Sequence, residues 1–185
     1  MQERVKAIVF FVVVGLIAGF FVYREATHVG EPGIINIGQK APDFSIKDES
    51  GKLVKLSDFR GKVVFLHFWG TWCTSCLPEM PEVEKMYETF KDRKFVMIPI
   101  SIDNGWDEVH QFYKERNITF PAYLDPGHQI ANLYKVKGWP ESFIIDGNGN
   151  VVNHTWVGHW TDPRMLAKIY GLIQQQETPA GKSTD

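Results

Sequence analysis

Cysteine is scarce in this sequence, with two residues among 185, and both lie within residues 72–76, whose sequence is WCTSC. The absence of a third cysteine leaves Cys73 and Cys76 without a competing internal partner and excludes a scattered framework of stabilising disulfides. A structural zinc site needs four ligands, which two cysteines without a paired histidine spacing do not supply. Covalent haem attachment needs a histidine directly after the second cysteine, where this chain has Leu77.

A basic excess is also missing. The whole chain has 20 Lys and Arg against 22 Asp and Glu, which gives a formal net charge of −2. Without residues 1–28 these counts become 17 and 20, so the remainder carries a charge of about −3 and contains no basic tract. Nucleic-acid binding therefore has no electrostatic support.

One long apolar run lies near the N-terminus, over residues 7–23. Its 17 residues approach the length that spans a bilayer, and Arg4 and Lys6 before it favour a cytoplasmic N-terminus. A cleaved signal peptide is the alternative, although its apolar region is usually shorter and ends in small residues, whereas this run ends in bulky residues. The sequence therefore predicts a single-pass signal anchor in the inner membrane over residues 1–28. A linker (29–37), an extracytoplasmic domain (38–176) and a polar tail (177–185) follow.

The domain alternates short apolar strands with amphipathic helices. Residues 62–68 are almost wholly apolar, which is typical of a strand buried on both faces. The cysteine pair follows, and then a helical pattern (81–90) leads to a second buried strand (95–102), so that a βαβ unit is predicted. The remaining predictions are a hairpin (43–47 with 53–56), helices (107–116, 128–134 and one beginning at Asp162-Pro163) and strands (121–124, 142–145 and 151–156). The sum is an α/β domain with parallel and antiparallel strands in one sheet.

The spacing of the two cysteines is typical of a redox pair. Two thiols separated by two residues can close a small disulfide, open it and pass an electron pair to another protein. The attacking group is a thiolate, so the reactive cysteine needs a lowered pKa. Cys73 is predicted at the strand-to-helix junction, where unpaired N–H groups and the helix dipole favour an anion. We therefore predict that Cys73 faces outward as the nucleophile and that Cys76 faces inward as the resolving cysteine.

Two segments carry a family resemblance. Residues 56–81, which include the cysteines, and the sequence GWPESFIID at residues 138–146 resemble membrane-tethered, thioredoxin-fold thiol–disulfide oxidoreductases of the TlpA/ResA/CcmG (DsbE) type. The resemblance spans roughly residues 38–175. It implies a thioredoxin fold with a mixed central sheet, an N-terminal β-hairpin and a helix–strand insert over residues 106–124.

The same resemblance implies the site and its partners. Pro140 would be cis and lie opposite the cysteines, in the groove where a substrate strand docks. The substrates would be proteins with disulfides, apocytochrome c among them, and a membrane electron donor would re-reduce the pair. The Cys73–Cys76 disulfide would be the redox group, with no metal and no other cofactor.

Four further residues near these motifs are candidate site residues, each with a structural alternative. Glu79 lies near the dithiol in relatives and would tune the cysteines or relay protons, the alternative being a solvated helix surface. Glu141, directly after Pro140, resembles the glutamate of the cytochrome-maturation members, the alternative being a surface strand. Trp72 would be a platform on which the substrate docks, the alternative being that it only packs against the domain. The large side chain of Trp139 would narrow the range of substrates that the site accepts.

Other residues with side chains capable of chemistry are assigned structural roles. His67 lies in an apolar strand, where relatives often carry asparagine, and is predicted to be a core residue with satisfied hydrogen bonds. His154 is predicted at the surface, and Asp103 in a turn or cap. Pro81 is predicted to kink the helix in which it lies.

The direction of electron flow stays open in the sequence. Thioredoxin-fold pairs span potentials of about −270 to −120 mV, and Thr74 and Ser75 do not place this pair on that range. The resemblance implies a reductant, and the alternatives are a dithiol oxidase or isomerase and a general reductase. A non-enzymatic alternative is a thioredoxin-like chaperone that binds peptides through Trp72, Trp139 and Pro140.

Overall fold

The computed structural model describes residue 15 and residues 35–178. The predicted anchor, apart from residue 15, lies outside the described residues, as do most of the predicted linker and the end of the tail. Among the residues that are described, no helix is both long enough and apolar enough to cross a membrane.

Residues 35–178 form seven strands, four helices and two short 3-10 turns. In chain order these are β1 (Ser45–Lys47), β2 (Leu53–Lys55), a 3-10 turn (Leu56–Phe59), β3 (Val63–Trp69), a 3-10 turn (Leu77–Glu79), α1 (Met80–Phe90), β4 (Phe95–Ser101), α2 (Trp106–Arg116), β5 (Tyr123–Leu124), α3 (Gln129–Leu133), β6 (Glu141–Ile145), β7 (Val151–Thr155) and α4 (Pro163–Glu177). The order matches the predicted one, with element ends shifted by one or two residues.

The strands form one mixed sheet and one separate hairpin. The five-stranded sheet has the order β5-β4-β3-β6-β7, and the hairpin pairs β1 with β2 in antiparallel fashion. The β3–β4 and β4–β5 pairs are parallel, whereas β3–β6 and β6–β7 are antiparallel. This confirms the predicted α/β thioredoxin-like topology with its N-terminal hairpin, and α2 with β5 forms the helix–strand insert.

The central strand β3 separates two apolar clusters. All seven of its residues are buried, because strands flank both its edges and side chains cover both its faces. Phe65 and Trp69 pack with the cysteines, α1 and α4, while Val64, Leu66 and Phe68 pack with β1 and α3 on the opposite face. Burial of each such side chain contributes about 1.5–3 kcal/mol, so β3 fixes the position of whatever follows Trp69.

The start of α1 agrees with the prediction to one residue, but the cysteines lie farther from the helix than expected. The helix begins at Met80, so Cys73 lies at the predicted junction between strand and helix but not at the first helical turn. The 3-10 turn at 77–79 intervenes. Pro81 is the second residue of α1, where a missing N–H is tolerated, and the predicted kink is therefore wrong.

The closing helix α4 begins as predicted and ends later. The side chain of Asp162 accepts a hydrogen bond from the backbone N–H of Arg164, and Pro163 occupies the first helical position. The helix includes Glu177, one residue past the predicted end of the domain. The carboxylate of Glu177 forms a two-pronged ion pair with the guanidinium of Arg93, which fixes this end of the helix.

Candidate active site

The two cysteines form a disulfide in the turn between β3 and the 3-10 turn at 77–79. Cys76 is fully buried, whereas Cys73 retains 4 % of its surface, so the first cysteine is the more accessible one. The backbone N–H of Cys76 points at the sulfur of Cys73, with 3.1 Å between nitrogen and Sγ. A donor aimed at this sulfur stabilises a thiolate there once the disulfide is opened.

Asp103 fixes the turn that carries the cysteines. Its carboxylate accepts hydrogen bonds from the backbone N–H of Thr71 at 2.9 Å and from the hydroxyl of Thr71 at 2.7 Å. The hydroxyl of Ser101, the last residue of β4, also donates to Asp103 at 2.6 Å. Asp103 is buried, and in its turn it links the cysteine turn to the end of β4.

The loop before β6 lies beside the cysteines. The Trp139–Pro140 peptide bond is cis, the geometry that the resemblance implies. The hydroxyl of Ser75, between the two cysteines, donates to the carbonyl oxygen of Trp139 at 2.9 Å. Trp139 is half-buried, with its ring edge-on to His128 at 5.8 Å between centroids. Ser75 therefore links the cysteine turn directly to the cis-proline loop.

Glu79 is a buried carboxyl group one turn after the second cysteine. Its backbone N–H donates to the carbonyl of Cys76 at 3.1 Å, and only 3 % of the residue is exposed, so the alternative of a solvated helix surface is wrong. The indole N–H of Trp160 donates to Oε2 at 2.7 Å, while Oε1 has no hydrogen-bond partner among the described residues. Burial raises the pKa of Glu79 from 4.5 to about 7, even though the bonds from Trp160 and from the backbone of Gly158 lower it.

Glu141, directly after Pro140, is also buried, with 2 % of its surface exposed. Both of its carboxylate oxygens have partners within the domain. Oε2 accepts from the backbone N–H of Lys137 at 3.0 Å, and Oε1 lies 2.7 Å from Nε2 of His154. The alternative of a surface strand is therefore wrong, and Glu141 ties the start of the cis-proline loop to β7.

Two tryptophans are exposed at the end of the sheet where the cysteines lie. Trp72 is 60 % exposed, and its docking role stays a prediction. Trp156 is also 60 % exposed. It directly follows β7, whose last residue Thr155 pairs with Ser142, the neighbour of Glu141.

Three residues of this site were missed in the sequence. Trp160 is fully buried and holds Glu79 through a contact between residues 81 positions apart, which no local pattern announces. His154, predicted at the surface, stacks on Phe143 with 4.4 Å between ring centroids; the predicted hairpin register was the available signal for it. Ser75 was noted only as part of the cysteine motif.

A redox disulfide in the turn after a central parallel strand, beside a cis-proline loop and a buried carboxyl, defines a thioredoxin-fold thiol–disulfide oxidoreductase. The chain belongs to the AhpC/TSA family, whose model matches residues 37–154.

Proteins of similar sequence are described as thiol–disulfide oxidoreductases. The chain is 37% identical over 160 residues to the thiol-disulfide oxidoreductase ResA of Bacillus subtilis, which covers 86% of this chain and 87% of that protein. It is 38% identical over 137 residues to ResA of Bacillus cereus, covering 74% and 75% of the two chains.

Solved structures agree in fold. One is a Chlorobium tepidum protein assigned as the thiol:disulfide interchange protein DsbE, with a TM-score of 0.63, 33% identity and coverage of 78% of this chain and 99% of that chain. Another is the thioredoxin domain of a thiol-disulfide oxidoreductase from Bacteroides vulgatus, with a TM-score of 0.65, 26% identity and coverage of 75% and 98%. The chain is thus a ResA-like thiol–disulfide oxidoreductase, and the non-enzymatic chaperone alternative is set aside.

Proposed function

We propose that this protein is a membrane-tethered, extracytoplasmic reductase of protein disulfides. Residues 1–28 anchor it, residues 29–37 form the linker, and the domain over 38–176 lies outside the inner membrane. The observation that carries the proposal is a redox disulfide followed one turn later by the buried carboxyl of Glu79, whose pKa is raised to about 7 and whose Oε1 has no hydrogen-bond partner among residues 35–178. Such a group can act as acid and as base near neutral pH.

The reaction is a two-step exchange that balances in electrons and atoms. The thiolate of Cys73 attacks one sulfur of the substrate disulfide, forms a mixed disulfide and releases the other substrate sulfur as a thiolate. The thiolate of Cys76 then attacks the sulfur of Cys73, which closes the internal disulfide and releases the second substrate thiolate. The substrate gains two electrons and the protein loses two. The N–H of Cys76 stabilises the starting thiolate on Cys73.

Glu79 is the proposed acceptor of the proton that leaves Cys76 in the second step. Cys76 is fully buried, and burial opposes ionisation of a thiol, so the attack on Cys73 needs a nearby base. Glu79 lies one turn from Cys76 and keeps one carboxylate oxygen unpartnered. We assign it as the group that takes the proton of Cys76 and returns it when the pair is reduced again.

Substrate docking involves the surface around the cysteines. Trp72 provides an exposed apolar platform next to the nucleophile, and Trp139 with Pro140 forms the opposite side of the groove. Glu141 contributes by holding the cis-proline loop through the N–H of Lys137, without touching the substrate itself. Apocytochrome c, whose haem-attachment cysteines must be reduced, is the proposed physiological substrate, and a membrane donor restores the dithiol.

The direction of the reaction is tested by the equilibrium of the full-length protein with glutathione. A potential near −270 mV, as in thioredoxin, supports a reductant, whereas a value near −120 mV overturns the reductant in favour of an oxidase. The second arm presents the reduced protein with an oxidised peptide that carries a Cys-x-x-Cys-His segment. Stoichiometric reduction of this peptide is expected, and no reduction would count against the cytochrome substrate.

The order of attack is tested by trapping. With Cys76→Ala the mixed disulfide cannot be resolved, so we expect a substrate linked covalently to Cys73 on a non-reducing gel. The matched variant Cys73→Ala should trap nothing, because the buried Cys76 has no access to substrate. Equal trapping by the two variants would contradict the assignment of roles.

A further inference from the structure

The hydroxyl of Ser75 has two acceptors within reach, on opposite sides of the site. It donates to the carbonyl oxygen of Trp139 at 2.9 Å, and its oxygen lies 3.5 Å from the sulfur of Cys73. A serine hydroxyl carries one proton, so it serves one of these acceptors at a time. Turning the proton about the Cβ–Oγ bond changes the partner without moving the backbone or the oxygen.

The redox state decides which acceptor is stronger. In the disulfide the sulfur of Cys73 is neutral and a weak acceptor, so the peptide carbonyl of Trp139 holds the proton. When the pair is reduced, the thiolate on Cys73 carries a full charge, and hydrogen bonds to ionised acceptors are roughly twice as strong as neutral ones. The hydroxyl then joins the N–H of Cys76 as a second donor to that sulfur.

We propose that Ser75 is a positioning residue that ties the cis-proline loop to the cysteine turn in the disulfide form and releases the Trp139 carbonyl in the dithiol form. A released carbonyl needs a new donor. The backbone N–H of an extended substrate segment lying between Cys73 and Pro140 supplies one. The groove is therefore open to a protein substrate when the enzyme is reduced, and the returning hydroxyl competes with the product once the disulfide has closed.

This inference rests on the proposed function, in which the dithiol is the form that meets substrate. The test uses the full-length protein and needs no turnover, so it is separable from the direction of electron flow. The variants are Ser75→Ala, the conservative Ser75→Thr, which keeps the hydroxyl, and Thr74→Ala as the matched control. Thr74 is also exposed between the cysteines, and its side chain makes no hydrogen bond within residues 35–178.

The first measurement is the pKa of Cys73, taken from the pH dependence of its alkylation in a Cys76→Ala background, where only one thiol of the pair titrates. Ser75→Ala should raise this pKa by about 0.5 unit, an acid constant about threefold smaller. Ser75→Thr should restore the original value, and Thr74→Ala should leave it unchanged. An unchanged pKa in Ser75→Ala, or an equal rise in Thr74→Ala, overturns the proposal.

The second measurement is hydrogen exchange of the backbone amides of Gly138 and Trp139 in the two redox states. In the natural protein these amides should exchange about threefold faster in the dithiol form, because the tie to Ser75 is gone. In Ser75→Ala the two redox states should exchange alike. Exchange that is independent of redox state in the natural protein overturns the switch. Failure of the protein to reduce any disulfide, with both measurements as expected, would instead overturn the proposed function alone.

Discussion

The two buried glutamates that flank the redox site differ in how completely they are satisfied. Glu141 lies after the cis-proline, and its two oxygens bind the N–H of Lys137 and the ring of His154. Glu79 lies after the second cysteine, and its Oε2 binds the indole of Trp160, whereas its Oε1 has no hydrogen-bond partner within residues 35–178. Both residues are almost fully enclosed, so the difference comes from their partners alone.

This difference is the basis for proposing that Glu79 transfers protons and that Glu141 has a structural role. A buried carboxylate with both oxygens hydrogen-bonded fixes the chain segments that donate to it, and moving its proton would break those bonds. In a buried carboxyl with an unpartnered oxygen, the cost of desolvating the charged form raises the pKa, here to about 7. A group with such a pKa can transfer protons near neutral pH. Position in the sequence near a motif does not distinguish the two cases.

The largest expected effect concerns His67, a third buried titratable group. Its effect on stability falls in a pH range that overlaps the range in which Glu79 titrates. Burial lowers the pKa of His67 from 6.5 to about 3, so the unfolded chain binds a proton more readily and stability is lost as the pH falls from 6.5 to 3. The loss amounts to at most about 5 kcal/mol. His67→Asn should remove this acid sensitivity in denaturant titrations at several pH values. Persistence of the full acid loss in the variant would contradict the assignment to His67.

Glu79 changes stability with pH in the opposite direction, and its effect is the next largest. Its raised pKa makes the folded state bind the proton more tightly, so stability falls as the pH rises from 4.5 to about 7, by at most about 3 kcal/mol. Between pH 4.5 and 6.5 this slope opposes that of His67, and the His67→Asn background exposes it. In that background Glu79→Gln should flatten the stability profile.

The same Glu79→Gln change should slow resolution of the mixed disulfide about a hundredfold at pH 7, measured in rapid mixing with a disulfide peptide. The exposed Glu108→Gln is the matched control and should alter neither stability profile nor rate. A normal rate in Glu79→Gln would mean that Glu79 is buried but transfers no proton. The contrast with Glu141 would then be structural only.

Glu141→Ala should lower the free energy of unfolding by about 2 kcal/mol at pH 7, because the N–H of Lys137 and the ring of His154 lose their acceptor. Glu141→Gln retains one carbonyl oxygen and should cost less. Chemical denaturation measures both. Substrate reduction should fall mainly through weaker docking, a higher KM with kcat little changed, since Glu141 acts on the loop rather than on the sulfurs. A drop in kcat alone would assign Glu141 to the chemistry.

The fold was predictable because its elements are strongly patterned. The apolar run of β3 and the Asp162-Pro163 start of α4 each carry a local physical cause, burial on two faces and capping. The start of α1 was predicted to within one residue, but the 3-10 turn before it was not, because two prolines near the cysteines fit equally well inside a helix or before one. Boundaries depend on such local competition more than element types do.

The site was predictable only as far as its motifs reach. Cys73, Cys76 and Pro140 follow from spacing and resemblance, whereas the state of each carboxyl depends on residues brought close by the fold. Glu79 meets Trp160 from 81 positions away, and Glu141 meets His154 across a hairpin. Trp160 carries no sequence signal that places it at the site, and His154 carries only the register of the predicted hairpin. The environment of each carboxyl therefore needed the structure, whereas the location of the redox pair did not.

The smallest effect tests the completeness of the Glu141 cluster. His154→Ala removes one of its two donors and the ring stacked on Phe143, while the N–H of Lys137 still binds the carboxylate, so a loss of about 1 kcal/mol is expected. A double-mutant cycle with Glu141→Ala should give a coupling free energy of about 1 kcal/mol, because the two side chains share one hydrogen bond. Thermal or denaturant unfolding of the four proteins measures it. Additive losses would mean that His154 contributes only packing, and that Glu141, like Glu79, keeps an oxygen without an energetically significant partner.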